Sequence, residues 1–179
     1  NQITTTRKTF YYNIPFRAQT EKHTDNGEQL YIGFVHLWDI YQMFLDMKQR
    51  LFEKNIRSGL SDELPPNLAI KKSLKDISMN GKNPDYFTFH HNGVTLYAEN
   101  IELNDNIITI VEPRILNGAQ TVTTFAKFIE DNHKSANFSQ KALEKIQVIG
   151  KIITKCSQEF VTQITISNNK QNQVHAWNL

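Results

Sequence analysis

A single cysteine, Cys156, stands in 179 residues, so no internal disulfide can form and no cluster of cysteines can hold zinc. That usage suits a reducing compartment. Long apolar runs are missing too. None approaches the ~20 residues of a membrane-spanning helix, so no membrane partner is expected and the expected location is the cytoplasm. A strong excess of one charge is also lacking. Twenty Lys and Arg stand against 18 Asp and Glu, a formal net charge of +2. By itself that is too little to argue for a nucleic-acid surface. Neither a GxxxxGK[ST] nor a GxGxxG phosphate loop occurs, and there is no HExxH metal motif. No secretory signal pattern stands at the start, which is Asn1. The expectation is one domain over residues 1–179, cut from a longer protein.

What is abundant is amide. Asparagine makes up about a tenth of the chain. The hydrophobic patterning around it predicts a mixed α/β (α+β) domain of strands and amphipathic helices. Residues 8–18 and 29–36 read as strands joined through Asp25-Asn26-Gly27 as a long hairpin, with Pro15 placing the first at an edge. Residues 37–55 read as one long helix with Leu37, Ile40, Tyr41, Phe44 and Leu45 on its apolar face. Its acids Asp39, Asp46 and Glu53, seven residues apart, read as the solvated face. Pro65-Pro66 breaks the chain, and Asn67 can cap a helix over 68–77. Residues 86–99 read as an aromatic strand interrupted at His91-Asn92-Gly93. Short strands are expected at 107–112 and 113–116, a helix from there to about 131, a short helix over 139–145, and a buried strand over 148–154. In the final stretch, Phe160, Val161 and Ile164 favour a helix.

The residues able to do chemistry are few. Cys156 follows an apolar strand and reads as a buried structural thiol. His90 and His91 are adjacent, so on a strand they point to opposite faces and cannot share one ion; no metal site is expected. Glu112 is a lone acid, and with His90 and His91 it forms a weak set of catalytic candidates. The run PRILNGAQTVTTF (113–125) is more informative. A strand ends, Asn117-Gly118 turns the chain, and a helix starts with uncharged Gln120 and Thr121 in its first turn. The first N–H groups of a helix lack internal partners and carry the positive end of its dipole. An anion fits there without a lysine. Three further amide-rich stretches also sit at element ends: Asn55-Ile56-Arg57, His91-Asn92-Gly93 and Ser167 to Asn172. Amides donate and accept at once but do not shuttle protons at neutral pH, so the set suits holding better than bond-breaking.

These stretches, in this order, resemble the abortive-infection phage-resistance (AIPR) family. The matching segments are LFEKNIRSGL (51–60), NLAIKKSL (67–74), NPDYFTFHHNGVTL (83–96), PRILNGAQTVTTF (113–125) and ITISNNKQN (164–172). His91-Asn92 stands where the family has paired asparagines. The resemblance implies bacterial antiviral defence in which the infected cell stops growing, and members are several hundred residues long. LNGAQT is also similar to the "DGQHR" signature of the ParB/sulfiredoxin-like group, where a strand–turn–helix core holds nucleotide phosphates or nucleic acid. The expected function is therefore nucleotide or nucleic-acid binding. Asn117, Gly118, Gln120 and Thr121 would hold a phosphate or base, with Arg57 and Arg114 neutralising its charge. Asn92, Gly93, Asn168, Asn169 and Gln171 would complete the wall. The alternatives are a metal-dependent nuclease or nucleotide hydrolase, and a structural or interaction module of a larger defence protein. The expected partners are the nucleotide or nucleic acid and the rest of the longer chain. The sequence names no cofactor and leaves catalysis open.

Overall fold

The computed structural model describes residues 7–54 and 67–171, without the side chains of 169–171. Its strands are β1 (Tyr11–Pro15), β2 (Ala18–His23), β3 (Gln29–His36), β4 (Val94–Asn104), β5 (Ile107–Asn117) and β6 (Gln147–Thr154). Its α-helices are α1 (Leu37–Met47), α2 (Leu68–Asn80), α3 (Asp85–His90), α4 (Ala119–Asn132), α5 (Gln140–Glu144) and α6 (Gln158–Gln171). The mixed α/β class is as the patterning predicts.

The six strands form one sheet in the order β1-β5-β4-β6-β3-β2. β4 and β6 run parallel, and the other neighbours are antiparallel. β1 and β2 lie at opposite edges, yet only Phe16 and Arg17 separate them in the chain. Two intervening residues span roughly 11 Å at most, so the sheet must curl until its edges meet. Phe16 is buried in that seam, and its N–H donates to the Asn106 carbonyl at 2.8 Å. Gly33 permits the closure: a β-carbon there would stand 2.5 Å from the Arg17 carbonyl oxygen. The single strand expected over 8–18 is thus two strands on opposite edges. Only β2 and β3 form the expected hairpin, and Pro15 does sit on an edge strand.

One face of the sheet packs on α1, α2, α4 and α5 around the main core, which includes Ile40, Leu74, Leu96, Ile115, Phe125 and Ile152. The other face carries a smaller cluster, in which Val161 and Ile164 of α6 cover Leu30, Tyr97, Leu116 and Ile153. Successive strand residues point to opposite faces, which is why Ile115 and Ile152 join one core while Leu116 and Ile153 join the other.

The helix expected over 37–55 ends at Met47, because Lys48 takes a left-handed φ of +54° and a 3-10 helix follows (Lys48–Phe52). Met43 and Met47 fill the inner face in place of Leu45, which is 38% exposed. α2 starts as expected: the Asn67 side chain accepts from the N–H groups of Ala69 and Ile70 at 3.0 and 3.1 Å. The aromatic run 86–91 is the helix α3, not a strand. Asn83 Oδ1 accepts from the Asp85 N–H at 2.9 Å, and Phe87 buries while its neighbours stay out. The two short strands expected at 107–116 are one strand. Pro113 lies beyond the last pair with β1, Tyr11–Val111, where its missing N–H breaks no ladder on that side.

Candidate functional site

β5 ends at Asn117, Gly118 turns the chain with φ +101°, and α4 begins at Ala119. Few residues other than glycine tolerate that φ. Space demands glycine as well: a β-carbon on Gly118 would stand 2.6 Å from Val94 Cγ1 and 3.1 Å from the Gly93 carbonyl oxygen. Gly93 is pressed in turn against β6, where a β-carbon would come within 1.9 Å of the Ile149 carbonyl oxygen. The two glycine loops therefore stack backbone on backbone at one end of the sheet, and Thr95 pairs with Asn117 beside them. No side chain of the cap residue closes the helix start, since Gly118 has none to offer. A 14-residue helix so begun presents first-turn N–H groups and the positive end of its dipole. Asn92 is exposed, Asn117, Gly118 and Gln120 are half-buried, and Thr121 is buried. The turn is open to solvent.

The remaining expected residues divide. His91 is drawn away from the turn's chemistry, with its Nε2 2.8 Å from Ser73 Oγ and its ring 4.3 Å from that of Phe87. Burial, with a smaller contribution from neighbouring His90, holds its pKa below the ordinary histidine value. His90 is exposed at the end of α3. Asn168 is half-buried on α6, the helix that packs against Leu116 just before the turn. Arg57, and the side chains of Asn169 and Gln171, lie outside the described residues.

Arg114 and Glu112 belong to a second constellation on the same strand. Glu112 adopts φ +50° and is buried. One carboxylate oxygen, Oε2, accepts from the Phe10 N–H at 2.6 Å. The other, Oε1, meets Arg50 and, at 3.1 Å, Arg114 Nη2. Arg114 also approaches Glu53 at 3.5 Å, and Arg7 pairs with Glu53 from outside. Arg50 further donates to the Lys8 carbonyl at 2.7 Å and lies over the Phe10 ring. Burial pushes the Glu112 carboxyl up, but the Phe10 N–H and the two arginines outweigh it and hold the pKa below the ordinary glutamate value. Glu112 is therefore a fixed anion. Sequence reasoning took Glu53 for a solvated helix face and passed over Arg50. Both stand beyond the end of α1, and their three-residue spacing across the 3-10 segment is the signal that could have paired them.

Cys156 is half-buried, and burial, helped by Glu28, pushes its thiol up to about 11. That suits a structural thiol. Among the described residues no three His, Cys, Asp or Glu side chains converge in a way that could hold a metal ion. No described helix is long and apolar enough to cross a membrane.

Residues 52–179 match the family model described as AIPR protein. No curated protein and no solved structure matches the chain.

Proposed function

The chain belongs to the AIPR family of abortive-infection phage-resistance proteins, and from that premise we propose that this domain binds a nucleotide or nucleic acid at the Asn117–Gly118 turn. The observation that carries the proposal is the stacked pair of glycine loops at an uncapped helix start. Gly93 and Gly118 leave room for a ligand's backbone-sized approach, and the first-turn N–H groups of α4 supply donors for a phosphate. Asn92 and Gln120 flank the opening with side chains that can read a base edge or a ribose. In this proposal the domain is one part of a longer cytoplasmic defence protein.

Holding is favoured over turnover by what the titratable groups do. Glu112 is committed to two arginines, and His91 to Ser73. A nuclease or hydrolase would draw its acids from elsewhere. Arg114, assigned to the ligand on sequence grounds, is 5% exposed and already paired, so it supports the turn from below.

The test is a titration of nucleotides and short oligonucleotides at low salt against wild type and Gln120→Glu. The substitution keeps the side chain's shape and places an acid in the first turn of a helix, which favours the helix but repels an anion. The expected result is binding by wild type, at least tenfold weaker binding by the variant, and an unchanged or raised melting temperature. Equal binding by both contradicts the proposal. Asn117→Ala tests a purely structural role: a large loss of stability without any change in affinity supports that alternative.

A further inference from the structure

α6 covers only half of its sheet face. Cross-strand pairing places Phe34 of β3 opposite Ile149 of β6, on the same face as the α6-covered Leu30 and Ile153 but beyond the helix. Phe34 is 42% exposed and Ile149 43%. Two residues along from Ile149, exposed Lys151 shares this face. Exposed Lys22 stands at its rim on β2, opposite Leu30. From Ile32 to His36 on β3 and from Gln147 to Lys151 on β6, no position carries a carboxylate. The bare half of the face thus joins an aromatic ring and an aliphatic neighbour to uncompensated cations. It is continuous with the glycine loops, because Gly93 packs directly on the Ile149 backbone and Gly118 on Gly93.

We propose that this uncovered sheet face binds single-stranded nucleic acid, with a base stacked on Phe34, the backbone tracked by Lys151 and Lys22, and the strand leading to the phosphate cradle at Gly118. The proposal rests on the reading of that turn as an anion site and extends it from one nucleotide to several. The chemistry favours this occupant. Every base offers a flat face to an aromatic ring, and phosphates answer lysines that have no acid beside them. A half-buried phenylalanine standing on a strand is a rigid platform, so little ordering is needed on binding. A single-stranded ligand fits an open, curved strip better than a duplex, whose stacked bases cannot reach a ring.

The experiment measures the anisotropy of a labelled thymidine oligomer of about 12 nucleotides, with AMP binding measured in parallel. Wild type should bind the oligomer more tightly than AMP. Phe34→Ala should weaken the oligomer about tenfold, on the scale of one lost stacking contact. Lys151→Glu should weaken it at least as much and flatten the salt dependence. Both should leave AMP binding and the melting temperature unchanged, and Phe34→Tyr should bind as wild type does. Oligomer affinity indifferent to Phe34→Ala and Lys151→Glu overturns the proposal while leaving the turn as a nucleotide site. A dimer in sedimentation that Phe34→Ala dissolves, with oligomer binding intact, overturns it in favour of a second copy on this face. Oligomer binding that depends on Phe34 without any AMP binding upholds the face and removes the turn.

Discussion

Two places on β5 lie within a few residues of each other and solve opposite problems. At Glu112 and Arg114 the strand carries full charges, and the protein answers them itself with Arg50, Glu53 and a backbone N–H. At Asn117 and Gly118 it carries no charge, and the partly exposed donors of a helix start face solvent. The difference teaches where ligand chemistry can sit. A buried arginine between two carboxylates is already answered, whereas helix N–H groups behind a glycine cap retain capacity for an anion. The ion cluster is not built for maximal stability. Among the described residues, Nε of both Arg50 and Arg114 lacks a hydrogen-bond partner, and each orphaned donor costs about 1–3 kcal/mol. Its role is geometric: it ties the segment before β1, the 3-10 helix and β5 together and so fixes the level at which the turn emerges.

The sharpest way to break the comparison is Glu112→Gln. It leaves two buried guanidinium groups without their anion, and stability should fall by about 3–5 kcal/mol in urea denaturation. The pH dependence follows the same carboxylate. Its folded pKa is depressed, so its contribution is complete above the unfolded glutamate range and disappears as pH falls through the folded value. The acid limb of wild-type stability should be shallower in Glu112→Gln, while nucleotide affinity of the folded fraction stays close to wild type. Gly118→Ala comes next. A side chain at φ +101° and within 2.6 Å of Val94 Cγ1 should cost roughly 2 kcal/mol and also weaken binding, because the strained turn is the proposed site. Gln120→Glu should change stability by at most about 1 kcal/mol, in the favourable direction, while lowering affinity at least tenfold. These three separate stability from binding in opposite proportions. Cys156→Ser, outside both regions, should alter neither, and with its thiol raised to about 11 wild type should react slowly with disulfide reagents at pH 8.

Much of this was legible in the sequence wherever one local rule decided the outcome. α2 follows from Asn67 as cap, α4 from the spacing of Val122, Phe125 and Ile129, and the turn from Asn-Gly. Legibility failed where distant contacts overrode local preference. Aromatic alternation in YFTFHH suggests a strand, but a short loop at Asn83-Pro84 and the stacking of Phe87 on His91 make it a helix. The division of residues 8–18 between two sheet edges depends on Gly33, far along the chain, admitting the Arg17 carbonyl. The nearness of Gly93 to Gly118 was expected only as part of an amide cluster; its physical cause, backbone contact through missing β-carbons, has no local signature. The ion cluster was invisible because Glu53 continues the spacing of Asp39 and Asp46, and only the left-handed Lys48 takes it off that face.

The central claim is that the opening of α4, not the arginines of β5, receives the ligand's negative charge. Amide and guanidinium NMR signals followed during titration with inorganic pyrophosphate test it most directly. The account predicts saturable shifts confined to the backbone N–H groups of Gly118, Ala119, Gln120 and Thr121 and their neighbours around Gly93, with the Nε–H signals of Arg50 and Arg114 unmoved. Shifts centred on those two arginines with the helix start silent, or no saturable shift anywhere, would contradict it.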